Sequence, residues 1–337
     1  MKGWKLVKPF SVEIQDGKEL NENESLCKVK ITKSLITQSD VLRYKGEIET
    51  KNVFLGSSGI GVIVEAGANL FGLEKGKRVY VEPNRECGNC FSCKSGKYTD
   101  CSDLQIAGED FDGFLCDFSS APIDKIYLLP DSVSDVDALY LGHISKALEI
   151  IDMLKIQKGD YVAVIGADSF SIIFSQLLIY YQAVPIVMTI DDASYKTAKS
   201  SGIYYVLNKN DNWQKEVSTI TGGRMAEKIV YISDSNVSSV KAFALASYNA
   251  TVVFTGATYN NTISFVQAIK KQLNILCINT GFGNTASSIN LLANKAINLS
   301  CLNIEKEKYE NVPQVFEKLN EQLDKTQTTT EYIIEMI

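Results

Sequence analysis

The chain has 337 residues, about twice a typical domain, so two domains or one large one are expected. Its composition is 45% hydrophobic and 22% charged, which is ordinary for a globular protein and supplies ample material for buried cores. The formal net charge of −6 and the lack of any basic run argue against a general nucleic-acid-binding role, and no stretch approaches the ~18 uninterrupted apolar residues of a membrane span.

The first residues, Met1 to Pro9, alternate and carry no long apolar region after their charges, so they do not read as a signal peptide and a cytoplasmic location is expected. Short strands follow over 26–31, 61–67 and 78–83, where apolar and polar residues alternate with period two. From this β body hangs a lobe at about 84–104 in which Cys87, Cys90, Cys93 and Cys101 are separated by two, two and seven residues. Four thiolates on short, turn-rich links can converge on one tetrahedral ion at Zn–S distances near ~2.3 Å, closing the site to water and substrate. The spacing therefore predicts a structural zinc, one per chain, with two disulfides or free thiols as the plainer alternatives. Arg85, Lys94 and Lys97 lie near enough in sequence to offset the charge of four thiolates. The other cysteines, Cys27, Cys116, Cys277 and Cys301, stand among apolar neighbours and read as small buried hydrophobes.

Two further strand-like runs occupy 113–129. Ser134 with Asp135 and Asp137 opens a helical segment expected to continue to Leu154. From there strands and helices alternate, with strands over 161–165, 186–189, 204–207, 228–232, 250–254 and 274–278. Six apolar strands with helical crossovers predict an α/β fold with a doubly wound parallel sheet. In the tail, 287–295 reads as helix, 297–304 as extended and 312–323 as an amphipathic helix.

A β-rich body with a four-cysteine lobe, a six-stranded parallel sheet and a returning tail resembles the zinc-type alcohol and polyol dehydrogenases of the medium-chain dehydrogenase/reductase superfamily. The markers are Ser39-Asp40 with Tyr44-Lys45-Gly46, the run Gly59-Ile60-Gly61-Val62-Ile63-Val64-Glu65-Ala66-Gly67, Gly76-Lys77-Arg78-Val79, the cysteine lobe, Gly113-Phe114 and Thr221-Gly222-Gly223-Arg224. The resemblance implies a GroES-like body from residues 1–148 and 286–337, an inserted Rossmann-like domain over 149–285, and a ligand cleft between them. It further implies a second, catalytic zinc and an NAD(P) cofactor in active members. At the positions the resemblance assigns to that zinc, this chain carries Thr37, Ser57 and Ser58, with the fourth position falling at or near Gly142. Neutral hydroxyls bind zinc weakly, so the catalytic zinc is expected to be absent.

After the strand 161–165 the family's Gly-x-Gly-x-x-Gly reads here as Gly166-Ala167-Asp168-Ser169-Phe170-Ser171, keeping only the glycine of the tight turn. Asp168 places a carboxylate where phosphates would sit and is expected to cap the following helix. Thr189 occupies the position of the ribose-binding acid, with Asp191 and Asp192 expected to cap the next helix. Conventional NAD(P) binding is therefore doubtful. His143, the only histidine, neighbours the fourth metal position and is the one candidate for acid–base chemistry, against a packed or solvated helix residue.

These observations predict an alcohol-dehydrogenase-like protein that keeps the structural zinc but departs from classical chemistry, as a binding, regulatory or assembly protein. The alternative is a zinc-independent NAD(P)-dependent oxidoreductase acting on a small alcohol, polyol or carbonyl compound. A small-molecule ligand in the cleft is expected, with no nucleic-acid or membrane partner. By resemblance alone, a homodimer or homotetramer is expected, pairing along the last parallel strand.

Overall fold

The six apolar runs form one parallel sheet in the computed structural model, which describes residues 1–17, 26–66, 72–166, 168–232, 237–255, 265–324 and 330–336. Its strands run in the order Tyr205–Leu207, Val184–Met188, Tyr161–Ile165, Ala226–Ile232, Ala246–Thr255 and Asn274–Ile278. The first strand in sequence is third in this order, so the crossovers reverse direction between Tyr161–Ile165 and Ala226–Ile232. Crevices at such a reversal, beyond the strands' carboxyl ends, are where open α/β sheets take ligands.

The helix Ser169–Tyr180 is buried from Ser169 through Leu178, which explains why its sequence is apolar nearly all round. It packs between this sheet and the helix Leu141–Met153, which in turn contacts Thr285–Ala293. A second sheet is drawn from both chain ends, in the order Ile304–Lys308, Glu331–Glu335, Leu26–Ile36, Ser58–Ala66, Arg78–Val81 and Ile126–Leu128, with Phe118–Pro122 also paired to Leu26–Ile36. Gly67 and Ala167 lie outside the described residues.

Several elements differ from the sequence expectations. The first residues form a hairpin, Lys2–Lys8 with Ser11–Asp16, that the sequence reading did not anticipate. The single helix expected after Ser134 is two, Asp135–Ala138 and Leu141–Met153. The break falls where the Ser58 hydroxyl donates to the Leu139 carbonyl at 2.7 Å, and Tyr140 sits at φ −93°, ψ 5°. The extended run expected over 297–304 is a turn, and the strand begins only at Ile304. There the Gln176 amide brackets Asn298, donating to its carbonyl at 2.9 Å and accepting from its N–H at 2.7 Å, so a side chain replaces a strand partner. Cys27 and Cys116 are buried as expected, but Cys277 is exposed and Cys301 is half-buried. Cys277 lies on Asn274–Ile278, the edge strand of the parallel sheet among the described residues.

Candidate functional site

The four lobe cysteines converge. Their sulfurs all lie within 4.8 Å of one another, and a tetrahedron with ~2.3 Å Zn–S bonds needs sulfurs about 3.8 Å apart. The Cys87 and Cys93 sulfurs are 4.0 Å apart, about twice a disulfide bond length of ~2.05 Å. Backbone N–H groups point at the sulfurs: Cys87 to Cys101, Cys90 to Cys87, Cys93 to Cys90 and Asp103 to Cys101, each at 3.4 Å. Such N–H donors stabilise thiolates, so the residues fit a zinc ion. Arg85 does not share in this. Its guanidinium stacks 3.8 Å above the Phe111 ring and donates to the Ser120 carbonyl at 3.0 Å.

A cleft of about 480 Å³ opens between the two sheets. It brings together Thr37, Ser57, Ser58 and Gly142 from the body with Asp168, Ile232 and Thr255 from the carboxyl ends of the parallel strands. The sequence reading singled out Thr37, Ser57, Ser58, Gly142 and Asp168; it did not single out Ile232 or Thr255.

A catalytic zinc needs about three imidazole, thiolate or carboxylate donors. The three hydroxyls here are committed instead. Asp40 Oδ2 accepts from Thr37 N at 2.9 Å and Thr37 Oγ1 at 2.8 Å. Asp40 Oδ1 accepts from Ser57 Oγ at 2.9 Å and Arg43 Nη1 at 3.1 Å. The backbone N–H groups of Gly56 and Ser57 also point at this carboxylate. Arg43 further donates to Ser57 Oγ at 2.7 Å and to Glu109 at 3.0 Å. Ser58 is spent on Leu139. This donor set does not fit zinc; a buried guanidinium supplies the positive charge beside Asp40. Ser39, one of the markers of the resemblance, lies in the first turn of the helix Gln38–Lys45.

At the parallel sheet, Gly166 takes φ +123°, and a side chain there would come within 3.1 Å of Ile232 Cβ, so the tight turn requires glycine. Asp168 caps the helix, accepting from Ser171 N at 2.8 Å and from the Ser171 hydroxyl. Burial raises its carboxyl above the usual range against the Ser171 bonds and the Lys146 charge. One of the helix's free N–H groups is thus taken by the chain's own carboxylate where a pyrophosphate would bind. Thr189 is fully buried and gives its hydroxyl to the Leu207 carbonyl at 3.1 Å, while Asp191 caps the next helix through Ser194 N at 2.8 Å. The residues present do not fit the usual dinucleotide grip beyond Gly166.

His143 faces this cleft between the rings of Tyr140 and Phe170, 5.7 and 6.2 Å away. Burial, and secondarily the Lys146 charge, lower its pKa to about 4, so the imidazole is neutral near pH 7.

The segment leaving the last parallel strand ties the two sheets together. Glu82 is buried and accepts from Asn84 at 3.1 Å and from the Thr285 hydroxyl, while Thr280 donates to Asn84 at 3.3 Å. Gly281 lies so close to the Lys146 backbone that a Cβ would come within 2.2 Å of it. Phe282 meets Tyr98 of the cysteine lobe edge-on at 5.7 Å, with Lys125 4.7 Å over its ring. Sequence reasoning missed Arg43, Glu82 and Thr285. Asp40 and Arg43 stand three apart on a helix, a visible pair; Glu82 and Thr285 are 203 residues apart and carry no local signal.

Residues 23–131 match the model of the alcohol dehydrogenase GroES-like domain. Over 322 residues the chain is 26% identical to an uncharacterized zinc-type alcohol dehydrogenase-like protein of Haemophilus influenzae, covering 94% of each. It is 27% identical to a sorbitol dehydrogenase of Bacillus subtilis over 65% of this chain and 64% of that one. Among solved structures, an Escherichia coli oxidoreductase/dehydrogenase of unknown specificity superposes with TM-score 0.90 at 19% identity, covering 100% of this chain and 99% of that one. An Escherichia coli CFT073 alcohol dehydrogenase complexed with NADH gives 0.87 at 23% identity over 99% of each.

Proposed function

The chain is a zinc-type alcohol dehydrogenase-like protein of the medium-chain dehydrogenase/reductase superfamily, and from that premise we propose that it keeps one structural zinc while its cleft binds a ligand without catalytic zinc or a conventional dinucleotide site. Cys87, Cys90, Cys93 and Cys101 hold the zinc. The observation that carries the reading is the set of contacts around Asp40. At the positions where relatives would ligate a metal, Thr37 and Ser57 donate to one carboxylate, whose charge is met by Arg43. Converting this to a zinc site would mean breaking a buried ion pair and finding three new donors.

Independent support comes from the helix Ser169–Tyr180, where Asp168 already accepts from the Ser171 N–H. At both positions the chain's own side chains are engaged in internal hydrogen bonds, while the four sulfurs of the cysteine lobe converge. On this reading the protein is a binding or regulatory member of its family, and the chain divides into a body of residues 1–148 and 286–337 and an inserted unit of 149–285.

A second reading rests on Gly166, which keeps the turn of a dinucleotide site at a reversal of strand order. With a structural neighbour complexed with NADH, it favours a zinc-independent NAD(P)-dependent oxidoreductase acting on a small alcohol, polyol or carbonyl compound. Titration of the purified protein with NADH and NADPH, followed by fluorescence, separates the two. No binding at millimolar cofactor is expected; micromolar binding would establish the second reading in place of the first.

A further inference from the structure

The segment 280–285, which leaves the last parallel strand, is seated against the cysteine lobe and its stem. That stem pairs Asn84 with Ile106 and Arg85 with Gln105, on either side of the four cysteines. Thr280 donates to Asn84, and Thr285 donates to Glu82 just ahead of the stem. Inside the lobe, Tyr98 lies between Cys93 and Cys101 and meets the Phe282 ring edge-on at 5.7 Å. Lys125 covers the same ring at 4.7 Å and pairs with Glu86, the residue before Cys87. Under this cover Phe282 is only 7% exposed.

Burying a phenylalanine ring is favourable in proportion to the area withdrawn from water, so Phe282 favours whatever holds Tyr98 over it. The Tyr98 carbonyl accepts from the Cys101 N–H at 3.1 Å, closing the single turn Tyr98–Asp100. A metal that fixes the Cys101 sulfur therefore fixes the backbone carrying the Tyr98 ring. Linkage makes the effect mutual: seating of Phe282 raises metal affinity by the factor by which metal favours seating. On its other side, Gly281 lies against the Lys146 backbone with no room for a Cβ. Asn279, Thr280 and Gly281 line the cleft, so a shift of this segment moves the cleft wall.

We propose that the cysteine lobe is a metal-dependent latch on the crossing between the two sheets. With zinc bound, Tyr98 covers Phe282 and holds segment 280–285 in its seat; without zinc, the ring is uncovered and the segment is released. This rests on the reading that the four cysteines hold zinc. It gives that ion a second role, since it governs one wall of a cleft that none of the four cysteines lines.

The test is limited chymotrypsin digestion of the purified protein, zinc-loaded and after zinc removal with dipicolinate, with the cut sites read by mass spectrometry. Zinc removal should speed cleavage after Phe282 about tenfold, as expected for a local opening. Phe174 and Phe243, fully buried in the parallel-sheet unit, should stay protected. New cuts confined to Phe91 and Tyr98, with Phe282 still protected, would overturn the proposal. Cuts spreading to Phe174 and Phe243 would also overturn it, because the ion would then support the whole fold and not this crossing. The reciprocal effect is read as zinc affinity in competition with a chromophoric chelator. Phe282→Leu, which stays apolar but lacks the edge-on ring, should bind zinc about tenfold more weakly. Phe316→Leu, in a core cluster that includes no lobe residue, should bind zinc as wild type does. Equal affinity in wild type and Phe282→Leu, or an equal loss in Phe316→Leu, would contradict the latch. Zinc content of the protein as purified decides separately whether the four cysteines hold the ion at all.

Discussion

Arg43 donates to Asp40 across 3.1 Å within one helix, and both side chains are almost wholly withdrawn from water, at 2% and 0% exposure. Asp40 gathers hydrogen bonds from Thr37, Gly56 and Ser57 as well, so its carboxylate is the centre of a buried network. Removing one partner of a buried pair strands the other charge. Arg43→Leu is therefore expected to cost about 3–5 kcal/mol in urea unfolding. Glu109→Gln, which alters the more exposed partner of Arg43, should cost under about 1 kcal/mol. Similar losses for the two variants would show that the Asp40 contact is not the dominant one.

The cysteine lobe makes a separate prediction, because the free energy of metal binding is also folding free energy. Cys90→Ser should lose bound zinc and lower stability by more than about 2 kcal/mol. Cys277→Ser, at an exposed position, should retain zinc and unfold as wild type does. Full zinc retention by Cys90→Ser would remove that residue from the ligand set.

Glu82 and Thr285 bridge the β body and the helix Thr285–Ala293. Burial pushes the Glu82 carboxyl up, with Thr285 and Asn84 working against that rise. Thr285→Val deletes a donor to a buried carboxyl and should cost about 1–3 kcal/mol, whereas Thr285→Ser, which keeps the hydroxyl, should cost under half as much. Equal losses would point to the methyl group's packing and not to the hydrogen bond.

His143 gives the pH dependence. Its pKa falls from the ordinary 6.5 to about 4 in the folded chain, chiefly by burial. The unfolded chain therefore binds the proton at higher pH than the native one, so this group has no effect above about pH 6.5 and lowers stability as pH drops toward about 4. The full loss is about 3 kcal/mol. His143→Gln lacks this titration, so its stability relative to wild type should rise on acidification across that window. A constant difference would place the imidazole in a water-like setting.

Much of the architecture was legible because it rests on local patterns. Continuous apolar runs announced the parallel strands, and the cysteine spacing announced the converging sulfurs. Asp168 was recognisable as a helix cap because capping acts over three residues. What escaped was set by distant contacts. Ser58 breaks the helix at Leu139 from 81 residues away, and Gln176 holds Asn298 out of a strand across 122. Arg43 was overlooked although its spacing from Asp40 is visible, because a charged helix pair is usually solvated; only burial gives this one its weight.

The account turns on there being one metal site and not two. Zinc measured per chain on protein purified without added metal is its most direct test. One zinc per chain, lost in Cys90→Ser, is the predicted result; two per chain would contradict it, since Thr37, Ser57 and Ser58 would then have to be part of a working site.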